Sequence, residues 1–302
     1  MSDNVMRGVY PILVTPFDEK GRIDIESLQK LVEFNIDAGV HGLGVALGSE
    51  VLRLSESERT EVTRCVVDQI RGRIPLVINT GAAGTDLSVL YSATAEENGA
   101  DAVMVMPPVI MPIGAGEVRE YFRAISDAVN IPIFIQDTPN APVSAELARH
   151  IAEESRHVRY IKVESQPTPA KVDAAVTWAG DLLGVFGGGG GNYLIEEMRR
   201  GSLGTMPGCS QPEAFVDVWE RFRGGDEIGA RSTFDAKIVP INRISAQSWG
   251  AFYHVNKELL RRRGVIRTAT VRGPISPLPD IDRRELQEII DELYDREPRS
   301  PL

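Results

Sequence analysis

The chain has 302 residues, 42% of them apolar and 25% charged, and its 33 Lys plus Arg against 43 Asp plus Glu give a formal charge of −10. That composition is globular and excludes a disordered chain. The acidic balance argues against nucleic acid, whose phosphates need a basic face, and against an anionic membrane surface.

Eight short runs rich in Val and Ile read as strands: 9–15 (VYPILVT), 42–47 (GLGVAL), 75–80 (PLVINT), 102–108 (AVMVMPP), 131–137 (IPIFIQD), 159–164 (RYIKVE), 182–188 (LLGVFGG) and 204–208 (GTMPG). Several are apolar on both faces, as buried parallel strands are. Helical patterns fill the gaps and carry start and stop signals. Asp24 precedes a helix closed by Gly39. Ser55 precedes another and forms a capping box with Glu58. Thr85 is read as the cap of a helix ending at Gly99, residues 117–129 fill the next gap, Ser144 caps the fifth helix, and Asn192 opens 192–201.

Eight β-then-α units of this kind predict a (β/α)8 TIM barrel, for which roughly 250 residues suffice. A doubly wound sheet is the alternative, but TPFDEKG after the first strand lacks the glycine cluster of a dinucleotide site. After residue 212 the pattern is helical to the end. The expected division is a barrel over 1–223 and a C-terminal helical extension over 224–302, packed on the barrel. No apolar run approaches the ~20 residues of a spanning helix, and the N-terminus lacks a secretory pattern. Cys65 and Cys209 are too isolated for a disulfide scaffold, so a reduced, cytoplasmic setting is expected.

In such a barrel the chemistry belongs at the C-terminal ends of the strands. Alternation places Tyr160, Lys162 and Glu164 on one face of the sixth strand and Ile161 and Val163 on the other, so Lys162 is expected to point inward. Burial there disfavours the ammonium form and leaves an amine able to attack a carbonyl. The competing reading is a structural ion pair with Glu164 or Asp137. Glu164 reads either as a general acid/base over the Lys162 nitrogen or as its counter-ion. Gln136 faces inward and has an amide for a sugar hydroxyl; Asp137 contacts substrate or caps the next turn. Gly48 and Ser49 offer backbone N–H groups and a hydroxyl to a carboxylate; Glu50 beside them reads either as a substrate contact or as the residue that fixes this loop. The Gly187–Gly191 run, with Gly188 and Gly189 as candidate contacts, either cradles a phosphate or makes room for substrate. Met206 completes the candidate substrate contacts. His41, His150, His157 and His254 show no ligand spacing, so neither metal nor cofactor is expected.

The segments GVYPILVTPFDEKGRID, GRIPLVINTGAAGT and VMPP, with a lysine ending the sixth strand, resemble the dihydrodipicolinate synthase / N-acetylneuraminate lyase family over about residues 7–280. The resemblance implies a (β/α)8 barrel, a homotetramer, Schiff-base chemistry on 2-keto acids and, by position, Lys162 as the Schiff-base lysine. The departures are specific. LGSE stands where the family usually has GTTGE, keeping Glu50 but placing Leu47 and Gly48 at the threonine positions. QDTP replaces the YNVP-type segment, so Gln136 stands for a tyrosine, and Asn140, Ala141 and Pro142 occupy the region of the synthases' arginine. The same departures resemble the 2-keto-3-deoxy-L-arabonate dehydratase branch in Ser49-Glu50, in Ile135 to Pro139 and in Lys162-Val163-Glu164, while the glycine run and GTMPG depart from it. Dehydration of a 2-keto-3-deoxy sugar acid to a semialdehyde is therefore expected. The alternatives are a pyruvate-dependent aldolase and a non-catalytic 2-keto-acid-binding barrel.

Overall fold

A computed structural model describes residues 5–111, 113–248 and 250–295. The extreme ends of the two expected units, 1–4 and 296–302, lie outside the described residues. Eight strands form: β1 Gly8–Val9, β2 Leu43–Val45, β3 Leu76–Asn79, β4 Ala102–Val105, β5 Ile133–Asp137, β6 Val158–Val163, β7 Gly184–Gly187 and β8 Gly204–Thr205. All pair in parallel in the order β1-β8-β7-β6-β5-β4-β3-β2. The sheet closes between β1 and β2 past the end of β1, where Leu13 N–H donates to Gly44 O (2.9 Å) and Gly44 N–H to Pro11 O (3.0 Å). The fold is a (β/α)8 barrel with C-terminal helices.

The first and last strands are shorter than their apolar runs. Pro11 and Pro207 lack an N–H and interrupt the ladder there, leaving isolated bridges from Ile12 to Gly44 and to Gly208.

The surrounding helices are α1 Ile25–Asp37, α2 Glu56–Ile70, α3 Thr85–Glu97, α4 Ala115–Ala128, α5 Ala145–Glu154, α6 Thr168–Ala179, α7 Leu194–Met198 and α8 Pro212–Arg223. Asp24 accepts from Ser27 N–H, Ser144 from Leu147 N–H, and Ser55 and Glu58 form the reciprocal box. Two expected caps are corrected. Thr85 is already the first residue of α3, with Gly84 before it. Asn192 turns its amide back to Gly189 O (2.6 Å), so α7 starts only at Leu194.

Two apolar layers fill the barrel. Val103, Ile133, Ile135, Ile161, Val163 and Val185 face the helices. Tyr10, Phe134, Tyr160 and Phe186 plug the interior; Phe134 stacks on Tyr160 at 4.5 Å and both meet the Phe186 edge. Tyr160 inside and Ile161 outside is the predicted parity of β6.

Beyond α8 come α9 Glu227–Thr233, a single π-turn, α10 Val239–Ser245, α11 Ala251–Arg262 and α12 Asp280–Ile290. Ile241, Val255, Leu259 and Leu286 form their own small core. This extension is fastened to the barrel by ion pairs, the buried Lys257–Glu50 and the half-buried Arg272–Glu58.

Candidate active site

Lys162 emerges above the aromatic plug, at the end of β6 and 3% exposed. Its register partners are Gln136 on β5 and Phe186 on β7. Its Nζ lies 3.0 Å from Glu164 Oε1. The Gln136 amide donates to Glu164 Oε2 (2.7 Å), and Asn79 donates in turn to Gln136 Oε1 (2.8 Å). Asn79 thus orients Gln136, and Gln136 aims Glu164 at Lys162.

The tip of this pair opens into a cavity of about 290 Å3 lined by Ile12, Leu47, Gly48, Lys162, Glu164, Gly189, Gly190, Met206, Pro207, Gly250, Phe252 and Tyr253. The glycine run supplies the room. A side chain at Gly188 would run into Glu164 and into Lys162 Cε, 2.9 Å from where its Cβ would stand. Gly189 and Gly190 follow at φ 57° and 72°, the left-handed region, where glycine carries no steric penalty.

The structure brings Lys162, Glu164, Gly48, Gly188, Gly189 and Met206 together. It separates four other expected site residues from the cavity and gives each a structural task. Gln136, 0% exposed, has both ends of its amide engaged and meets no sugar hydroxyl; it positions Glu164. Asp137 points outward, where it accepts from Val143 N–H (2.7 Å) and Ser165 Oγ and pairs with Lys171 (2.8 Å). The Ser49 hydroxyl is consumed by Leu13 O and by Ala46 N–H. Glu50 is buried in a left-handed turn, φ 60°, held by Lys257, Arg53 (3.2 Å) and the Arg272 N–H (3.0 Å). What the four share is that their side-chain polar atoms already have partners within the protein and that none of them lines the cavity.

Two lining residues escape a strand-by-strand reading. Phe252 and Tyr253 come from α11 of the extension. Tyr253 Oη donates to Leu47 O (3.1 Å), and the Arg53 guanidinium lies 4.9 Å above its ring. Burial raises the Tyr253 phenol above its ordinary range; Arg53 opposes the rise, while Glu50 and Glu164 add to it. The one signal in the sequence is the aromatic pair Phe252-Tyr253, directly after Gly250-Ala251.

Among the described residues no three His, Cys, Asp or Glu side chains converge as a metal would require, and none of the lining residues but Lys162 is cationic. The cavity floor presents an amine beside a carboxylate.

Comparison with known proteins agrees. Residues 5–293 match the dihydrodipicolinate synthetase family. The chain is 30% identical to the L-2-keto-3-deoxyarabonate dehydratase of Azospirillum brasilense over 94% of this chain and 93% of that one. It is 30% identical to the 4-hydroxy-tetrahydrodipicolinate synthase of Pseudomonas aeruginosa over 79% and 82%. The crystal structure of dihydrodipicolinate synthase from Rhodopseudomonas palustris superposes with a TM-score of 0.87 at 26% identity, covering 95% of this chain and 97% of that one. The chain belongs to the dihydrodipicolinate synthetase family, whose members are lyases.

Proposed function

We propose that this protein forms a Schiff base between Lys162 and a 2-keto acid and dehydrates a 2-keto-3-deoxy sugar acid, such as 2-keto-3-deoxy-L-arabonate, to a semialdehyde. The supporting observation is the Asn79–Gln136–Glu164–Lys162 chain, which ends at the cavity floor and places a carboxylate 3.0 Å from the amine. Glu164 takes the ammonium proton, the freed amine attacks C2, and the same proton leaves with the carbinolamine hydroxyl as water. The iminium draws electrons from C3, so Glu164, again a carboxylate, removes a C3 proton and an enamine forms. Its electron pair expels the C4 hydroxyl as water. Loss of a C5 proton then gives an enol across C4–C5, which becomes the aldehyde, and hydrolysis frees Lys162.

Aldol cleavage instead needs a base on the C4 hydroxyl. Gln136 stands where a tyrosine would serve and an amide takes up no proton at neutral pH. Similarity to the Azospirillum dehydratase weighs on the same side. The reading includes a homotetramer, as the resemblance implies, and a cytoplasmic setting, as the isolated cysteines suggest, with sedimentation velocity testing the assembly. The decisive experiment incubates the protein with a panel of 2-keto-3-deoxy acids and weighs the products. Loss of 18 mass units supports dehydration; pyruvate plus an aldehyde establishes the aldolase instead. Borohydride with pyruvate that leaves Lys162 unmodified establishes the non-catalytic barrel.

A further inference from the structure

Dehydration of a 3-deoxy acid needs three things at one place: an electron sink at C2, a base for the C3 proton and an acid for the departing C4 hydroxyl. Hydroxide is a poor leaving group, and protonating it as the C–O bond breaks contributes typically ~10²–10⁴-fold. Lys162 is the sink and Glu164 the base. Once Glu164 has removed a C3 proton, its hydrogen bond from Gln136 and its contact with the Lys162 nitrogen hold it on the β6 side of the cavity.

Of the twelve residues lining the cavity, three carry a polar side-chain group: Lys162, Glu164 and Tyr253. Tyr253 arrives from α11, an element separate from the strands that carry the other two. Its ring is fixed between the Arg53 guanidinium at 4.9 Å and the edge of Phe252 at 5.7 Å. Its hydroxyl has one partner among the described residues, the Leu47 carbonyl at 3.1 Å, itself on the cavity wall. A phenol O–H rotates freely about its C–O bond, so it exchanges that carbonyl for a ligand oxygen without moving the ring.

We propose that Tyr253 is the third catalytic side chain, the acid that protonates the C4 hydroxyl as it leaves. This rests on the dehydratase reading of the same site. The enamine electron pair forms the C3–C4 double bond while the C4–O pair departs with oxygen. That oxygen takes the phenol proton and becomes water. Glu164, carrying the C3 proton, returns it to the phenolate through the released water, and both groups are restored with no outside oxidant or reductant.

The test is Tyr253→Phe, which keeps the ring and its contacts and removes the hydroxyl. Borohydride trapping of pyruvate on Lys162 and exchange of the pyruvate methyl protons in D2O, which need only Lys162 and Glu164, stay at wild-type levels. Dehydration kcat for a 2-keto-3-deoxy acid falls by about 10²-fold or more, with KM changed far less. An analogue carrying fluoride in place of the C4 hydroxyl needs no proton to depart, and the variant eliminates it at close to the wild-type rate. Wild-type dehydration by Tyr253→Phe overturns the proposal. So does a variant that also loses the pyruvate adduct or the methyl exchange, which marks the tyrosine as structural. If the wild-type protein splits the acid into pyruvate and aldehyde, the dehydratase reading itself falls and takes this role with it before any variant is made.

Discussion

Two buried lysines pair with carboxylates in this protein, Lys257 with the buried Glu50 and Lys162 with the half-buried Glu164, and the proposed function gives chemistry to only one of them. Lys257 is fully enclosed: Glu50 pairs with it, Thr270 O accepts from it at 2.8 Å, and the Phe17 ring lies 4.4 Å from its nitrogen. Burial lowers its pKa to about 8, with Glu50 opposing the fall. Lys162 has the same kind of partner, but the space beyond its nitrogen is cavity rather than protein. What sets Lys162 apart, on the proposed function, is an open approach and a carboxylate steered from behind.

The sharpest way to break this contrast is Lys162→Arg, which keeps a cation beside Glu164 and removes the nucleophile. Turnover should fall by about 10⁴-fold or more, and mass spectrometry after borohydride should find no pyruvate on the protein, Lys257 included. A label on Lys257 would collapse the distinction. Lys257→Met should do the reverse. Trapping on Lys162 persists, while stability in urea drops by about 3 kcal/mol, because Glu50 is left in the interior with only Arg53 and a backbone N–H.

A third buried charge sharpens the comparison by having no cation at all. Glu197 on α7 packs against Gly187, and neither of its oxygens is hydrogen-bonded among the described residues. Burial pushes its pKa from 4.5 to about 7; the neighbouring Glu196 adds to the rise, and the Thr168 hydroxyl, outside hydrogen-bond geometry, counters part of it. Between those values the folded chain holds a proton that the unfolded chain has released. Its contribution to stability thus falls as pH rises from about 4.5 to about 7, by about 3 kcal/mol. Glu197→Gln should flatten that part of a denaturation-against-pH curve, and an unchanged slope would show that the carboxyl ionises freely. The smallest effect is expected for Gln136→Leu, which removes the donor that aims Glu164. About tenfold in kcat corresponds to one hydrogen bond to a charged group, with pyruvate trapping kept.

The barrel was legible in the sequence because strand and helix periods alternate eight times, and the direction of Lys162 followed from the parity of Tyr160 and Ile161. The illegible part has one physical origin. Whether an inward or rim polar residue is available depends on partners far along the chain: Lys257 lies 207 positions from Glu50, and Lys171 lies 34 from Asp137. Local pattern identified these groups as polar and buried but not as already satisfied, so Glu50, Ser49, Asp137 and Gln136 read as ligand contacts. Tyr253 was hidden for the complementary reason. It sits on a helix outside the strand-end rule that located the rest.

That helix, α11, has a further consequence. Tyr253, on the cavity wall, lies four positions before Lys257, which is locked to the barrel through Glu50. If the proposed function holds, the part that activates a ketone and the part that meets the far end of the compound belong to different stretches of chain, the second held in place by one anchored rod. New tastes for hydroxylated acids are then open to change by replacing the tail of the molecule, with the reactive amine left undisturbed.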